Sequence, residues 1–322
     1  MRAVVTGAAG FVGSHLCAHL LSCGDEVVGI DMLTDYYDPA LKERNLTSLR
    51  NFDAFSFHRV DLLDAPLSLL VDGAEVIYHL AGQPGVRSSW NHDFPQYVTR
   101  NVLATHAILE AGRGRPMRKM VFASSSSVYG EVQTYPTAET LRPQPASPYG
   151  VTKLAAEQLC ELYRTTFEIP TVSLRLFSVY GPQQRPDMAF SRLLAAVAHE
   201  RPFPLYGDGE QTRDFTYISD AVAAMRAAAC SEFIGIANVG GGDQVSMNQV
   251  IAAIEQLAGP VQLVRLPVAR GEVRHTGADI TLARTAFGYT PAVSLSDGLA
   301  AMVKHMMAAE RYSDLELNRE LC

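Results

Sequence analysis

The first half of the chain alternates short, continuous apolar runs with longer stretches of helical period. Ala3-Val4-Val5-Thr6, Val27-Val28-Gly29-Ile30, Phe55 to Val60, Val76 to Leu80, Met120-Val121-Phe122-Ala123 and Val172 to Leu176 read as six strands. Between them, Phe11 to Ser22, Val98 to Ala111 and Ala155 to Phe167 have the spacing of helices. Strands that are apolar throughout and alternate with helices belong to a parallel sheet covered on both faces. The expected class is α/β, a Rossmann-like, doubly wound parallel sheet. After about Tyr180 the rhythm breaks. Pro182, Pro186, Pro202 and Pro204 punctuate the chain and the elements shorten. Ser246-Met247-Asn248-Gln249 has capping-box spacing and opens a helix to about Ala258. Residues 1–180 are expected to form one domain. Residues 181–322 form a smaller, mixed α/β region, with some segments returning to the first.

Composition narrows the class of function. Of 322 residues, 48% are hydrophobic and 19% charged, enough to bury a sizeable core. Lys and Arg total 27 against 34 Asp and Glu, a net charge of -7. That balance argues against nucleic acid and anionic membranes as partners, yet leaves room for a local basic pocket. No apolar run reaches the roughly 18 residues of a membrane span. A strand beginning almost at Met1 leaves no room for a targeting peptide, so a cytoplasmic location is expected. The five cysteines, Cys17, Cys23, Cys160, Cys230 and Cys322, include no CxxC pair. They signal neither disulfides nor a metal site and read as reduced thiols.

Gly7-Ala8-Ala9-Gly10-Phe11-Val12-Gly13 follows the first strand and opens the first helix. Small residues let a pyrophosphate approach the backbone, and the helix N-terminus offers it unpaired N–H groups. Asp31 ends the second strand, 24 residues beyond Gly7. A carboxylate there suits ribose hydroxyls and repels a 2′-phosphate, which selects NAD over NADP. Asp61 and Leu62, after the third strand, are candidates for the adenine edge.

Ser124-Ser125-Ser126-Ser127-Val128-Tyr129-Gly130 follows the fifth strand, and Tyr149 and Lys153 stand four apart at the start of a helix. They share one helical face, where an ammonium beside a phenol is expected to favour the phenolate. A tyrosine so lowered is a usable general base. With the glycine loop before it and the serines between, this pattern is similar to the extended short-chain dehydrogenase/reductase family, the nucleotide-sugar epimerases and dehydratases. The resemblance spans essentially the whole chain. It implies tightly held NAD, with Ser125, Ser126, Tyr149 and Lys153 as catalytic residues. It also places Lys42, Leu80, Ala81 and Gln83 beside the cofactor.

The 4,6-dehydratases of that family carry Thr-Asp-Glu at Ser125, Ser126 and Ser127, and UDP-glucuronate decarboxylases carry Thr-Ser-Glu. Here neither Ser126 nor Ser127 is an acid, so the acid/base pair for water elimination is missing. Asp35-Tyr36-Tyr37-Asp38-Pro39, His79 to Arg87 and Arg175 to Pro182 with Arg185-Pro186-Asp187-Met188-Ala189 are similar to bacterial UDP-glucuronate 4-epimerases. Gly82 and Pro84 depart from the alanines usual there, and Gln183-Gln184 from Trp-Gly. A guanidinium fork matches a carboxylate, so Arg185, helped by Ser178, is assigned to the glucuronate carboxylate. Arg87 and Ser127 are further sugar-side candidates. By the same resemblance Tyr206 lies against uracil, and Arg213 and Arg274 (ahead of Asp279) meet the diphosphate.

The expected reaction is C4 epimerisation of UDP-glucuronate to UDP-galacturonate through a 4-keto sugar, without decarboxylation. The alternatives are a UDP-galactose/UDP-glucose 4-epimerase, a UDP-glucuronate decarboxylase, or a NAD-sensing regulator of reductase fold. Homodimerisation through the helices at 98–111 and 155–167 follows from the resemblance alone, because their apolar positions fit a core equally well.

Overall fold

The computed structural model describes residues 1–269 and 271–320; Cys322 lies outside them. A seven-stranded parallel sheet forms the centre. Its first six strands in sequence are β1 (Arg2–Thr6), β2 (Glu26–Asp31), β3 (Phe55–Arg59), β4 (Val76–His79), β5 (Lys119–Ser125) and β6 (Thr171–Leu176). The spatial order is β3-β2-β1-β4-β5-β6, and a seventh strand, Gly235–Val239, pairs with β6. β1 sits between β2 and β4, so that Val4 lies opposite Val28 and Ile77. Val4, Val5 and Ile77 are wholly buried, as double-sided burial demands of such apolar runs.

Each face of the sheet has its own core. One gathers Ala3, Val5, Leu16, Leu20, Val121 and Met225. The other gathers Val4, Ile77, Ile108, Leu109, Met120 and Ala156. The seventh strand and the helix Ile218–Cys230 come from beyond Tyr180 and join this sheet. A third core, with Phe190, Leu193, Phe203, Leu205, Val250 and Ile254, holds the smaller region together. There Ser246 caps the helix Met247–Ala258 in a full capping box with Gln249.

The stretch expected as one helix from Val98 is π-helical over Val98–Leu103 and α-helical only over Ala104–Gly112. Asn101, 1% exposed, lies in the π turn. Its side chain accepts from Gln83 N at 2.7 Å and donates to Gln83 O at 3.0 Å and to Thr152 Oγ1 at 2.9 Å. Such turns, with one extra residue per bond, often mark sites where a side chain is re-aimed inward. Among the described residues, no helix is long and apolar enough to cross a membrane, and the four described cysteines are free thiols.

Candidate active site

The carboxyl ends of β1, β2 and β4 open onto a cavity of about 190 Å³. Gly7, Gly10, Phe11, Val12, Gly13, Asp31, Lys42, Asp61, Leu62, Leu80, Ala81 and Gln83 all line it. Two glycines make it possible. Gly7 has φ +74°, and a Cβ there would meet Ala81 N at 2.8 Å. A Cβ on Gly13 would lie 2.0 Å from Gly7 O. The backbone therefore folds closer than any side chain permits, and the helix Phe11–Ser22 presents its N-terminus to the cavity. Asp31 is fixed by backbone donors, Ala9 N at 3.1 Å and Leu33 N at 2.8 Å. Burial lifts its carboxyl above the ordinary range, and those two bonds and Lys42 oppose the shift. Lys42 donates to Thr34 O and Oγ1, both at 2.7 Å. A cradle that excludes Cβ atoms, beside an anchored carboxylate, fits an adenine dinucleotide. Behind it His79, held neutral by burial with a pKa pushed down to about 3, bridges Thr6 at 2.8 Å and Thr105 at 3.0 Å.

β5 ends in Ser124-Ser125, and the helix Pro148–Phe167, capped by Ser147, carries Tyr149 and Lys153. One buried network locks the two together. Ser124 Oγ donates to Glu157 at 2.7 Å, and Arg175 on β6 reaches both oxygens of Glu157 at 3.0 and 2.6 Å. Ser125 Oγ accepts from Ser127 N at 3.1 Å, which leaves its own proton free to point outward. Lys153 Nζ donates to Ala123 O at 2.9 Å, and burial brings its pKa down to about 8.

The expectation that Lys153 lowers the Tyr149 phenol meets a stronger effect here. Burial raises Tyr149 above the ordinary tyrosine range, and the opposing pull comes from Ser125 and from the Arg185 guanidinium. The physical reason is that Lys153 is itself desolvated and directs one N–H to Ala123 O.

A second, larger cavity of about 520 Å³ lies against the smaller region. Arg87, Ser126, Ser127, Ser178, Arg185, Tyr206 and Arg213 line it. Arg185 and Tyr36 line both cavities, so they mark the junction. Arg274 lies outside both, exposed, with its fork on Asp208 at 2.7 and 2.8 Å. That pairing holds the Asp208 carboxyl well below its usual range. Arg87 packs over the Tyr206 ring at 3.9 Å and pairs with Glu272. Among the described residues Arg213 bonds only to carbonyls, Thr212 O at 2.8 Å and Arg274 O at 3.3 Å, and burial lowers its pKa. It is a cation poised for an anion.

Several residues that matter here carried no signal of their own in the sequence: Asn101, Arg100 and Ser88. Arg100 Nη1 donates to Gln83 Oε1 at 2.8 Å on the cofactor side. A Cβ on Gly82 would lie 2.7 Å from Asn101 Oδ1 and 3.5 Å from Lys153 Nζ, which ties the π turn to the helix that carries Tyr149 and Lys153.

Residues 3–240 match the NAD dependent epimerase/dehydratase family. A Bacillus subtilis (strain 168) protein described as an uncharacterized UDP-glucose epimerase, YtcB, is 44% identical over 313 residues, 95% of this chain and 98% of its own. A UDP-glucuronate 4-epimerase of Thermodesulfobacterium geofontis (strain OPF15) is 35% identical over 93% of this chain and 94% of its own. The crystal structure of UDP-glucuronic acid 4-epimerase from Bacillus cereus with UDP-glucuronic acid and NAD has a TM-score of 0.93 at 45% identity, covering 96% of this chain and 100% of that one. A dinucleotide cradle, a Ser-Tyr-Lys constellation and a second cavity rich in arginine thus meet in one chain, and that chain belongs to the NAD-dependent epimerase/dehydratase family.

Proposed function

We propose that the protein inverts C4 of UDP-glucuronate to give UDP-galacturonate, keeping the carboxylate. One observation carries this reading. Arg185 stands where the two cavities meet, and its charge acts on Tyr149. A cation there serves a sugar whose reacting carbon and carboxylate are neighbours.

Gly7, Gly10, Gly13 and Asp31 would hold NAD, which when bound supplies a two-electron acceptor for the C4 hydrogen and later its donor. Tyr149 takes the C4 hydroxyl proton and afterwards returns it. Lys153 supports the phenolate, and Ser125 hydrogen-bonds the sugar oxygen. Ser126 and Ser127 orient the sugar and, lacking a carboxylate, leave no acid/base pair for elimination. Tyr206 receives the uracil, and Arg213 with Arg87 takes the diphosphate. Arg274 reaches it only by leaving Asp208.

A ketone at C4 makes the sugar a β-keto acid, which loses carbon dioxide when the C5–carboxylate bond aligns with the carbonyl π system. Arg185 and Ser178 hold the carboxylate out of that alignment and stabilise the charge that its departure would erase. A homodimer belongs to the same reading, supported by the exposed apolar side chains Leu103, Val151, Leu162 and Phe167 on the two helices concerned. So does a cytoplasmic setting.

Incubation with UDP-glucuronate, UDP-glucose and UDP-galactose, followed by ¹H NMR, tests the substrate. UDP-glucuronate is expected to turn over fastest. Faster turnover of UDP-glucose would favour the neutral-sugar reading that the Bacillus subtilis relative's name suggests. Arg185→Ala is expected to slow epimerisation about a hundredfold, the loss of a charge-assisted hydrogen-bond pair, and to release UDP-4-keto-pentose.

A further inference from the structure

The assignment of Arg185 leaves one contact to explain, because half of its guanidinium is already engaged. Nε meets Asp187 Oδ1 and Nη2 meets Oδ2, each at 3.0 Å. A guanidinium has two bidentate edges, side-on through Nε and Nη2 and end-on through the two Nη atoms. Asp187 fills the first. Among the described residues Nη1 has no hydrogen-bond partner, so the end-on edge is open.

Asp187 is itself held from across the cleft. Its Oδ2 accepts from Tyr36 Oη at 3.3 Å, 151 positions away. Tyr36 Oη lies 3.2 Å from Ser88 Oγ, which lies 2.7 Å from Tyr97 Oη. Tyr97 ends the chain on Pro84 O and Gly85 O at 2.8 and 2.9 Å, and its ring packs edge-on against Tyr149 at 6.3 Å. Hydroxyls thus run from the nucleotide-side loop to the arginine pair. Arg185, Asp187, Tyr36 and Ser88 all face the larger cavity.

We propose that Asp187 is a positioning residue: it locks Arg185 side-on so that the open end-on edge meets the sugar carboxylate, and Tyr36 holds Asp187 in place from the nucleotide side. The inference rests on the uronate reading above. It has a distinctive consequence. Asp187 offsets part of the charge of Arg185 and so weakens the pull on a bound carboxylate. What it contributes is direction. An arginine freed from it binds the substrate as well or better, yet lets the carboxylate swing.

Asp187→Asn removes the charge with little change of size, at an exposed position where folding is not at stake. Products from UDP-glucuronate are resolved by chromatography and NMR into UDP-galacturonate and UDP-4-keto-pentose, with KM measured alongside and thermal unfolding checked. KM is expected to stay level or fall, while the decarboxylated share rises about tenfold, one charge-assisted pair. Asp187→Glu is expected to recover part of the loss, and Tyr36→Phe to show a smaller change of the same kind.

An unchanged product ratio in Asp187→Asn overturns the proposal. If its KM falls with that ratio intact, Asp187 is only a competitor for Arg185; if KM rises with it intact, Asp187 only shapes the pocket. A wild type inert toward UDP-glucuronate overturns the uronate reading and this inference together. An active wild type with an unaltered variant overturns this inference alone.

Discussion

Around Gly7–Gly13 the groups that shape the cavity are backbone atoms, fixed by near neighbours or by one adjacent strand: Gly10 N on Gly7 O, Gly7 N on Ile30 O, Ala9 N and Leu33 N on Asp31. Around Arg185 the groups are long side chains. Arg87 pairs with Glu272, 185 positions on, and Asp187 bonds Tyr36 across 151. The first end is set by the course of the chain and cannot yield without moving the sheet. The second joins one arginine held in direction, Arg185 on Asp187, to the exchangeable ion pairs of Arg87 and Arg274, which a charged ligand can enter. Rigid backbone suits a cofactor of fixed shape, and side chains of which some are held and some can move suit a substrate whose ring must turn over during the reaction.

The sharpest way to break that contrast is at Gly13. Ala there places a Cβ 2.0 Å from Gly7 O, a backbone carbonyl with no flexible end to give way. NAD affinity, followed by calorimetric titration, is expected to fall about a hundredfold or more, since the helix must shift off the anion. Affinity near that of the wild type would mean that the cradle is not rigid. The other end is expected to respond by degrees. Arg213→Ala removes a half-buried cation whose bonds among the described residues are to carbonyls, and should raise KM about 10- to 100-fold with kcat changed little. Arg274→Ala should change KM by no more than about threefold, because its fork lies in solvent on Asp208. Steady-state kinetics of the pair decide the matter, and equal effects would refute the distinction.

The same contrast explains what the sequence could convey. Strands β1 to β6 and the glycine loop are local patterns, and the structure places each within a residue or two of its expected limits. The seventh strand, Gly235–Val239, escaped because five residues that include Gly235 and Asn238 have no alternation or apolar run to display, and pairing with β6 alone makes them a strand. The π turn escaped because its period is set by Asn101 gripping Gln83, not by hydrophobic spacing. Arg185 was legible as a candidate from its motif, yet the division of its two edges was not. Its partner, Asp187, only two residues on, was read as part of a motif and not as a contact. The anchoring of that partner by Tyr36 needs the folded chain.

Lys153 lines neither cavity, and its cost to stability is the smallest effect that bears on the comparison. Its pKa in the folded protein is about 8 against an ordinary 10.5. Between those values an unfolded chain keeps a proton that the folded chain has released. Stability therefore rises with pH from about 8 to about 10.5 through this group, and at pH 7 the burden of about 3 kcal/mol is present in full. Lys153→Met lifts that burden but leaves Ala123 O without its donor, which costs about 1–3 kcal/mol. The net expectation without added nucleotide is an unfolding midpoint at pH 7 level with the wild type or up to about 3 °C higher. The rise in midpoint between pH 8 and 10 should flatten, and epimerisation should fall about a hundredfold or more. A variant several degrees less stable at pH 7 would show that the ammonium is a structural tie, and one keeping the wild-type slope would show that another group carries the pH dependence. A flattened slope with activity lost would show that the lysine is held at the expense of the fold, tied to Ala123 O of the rigid sheet and not to the exchangeable ion pairs of the second end.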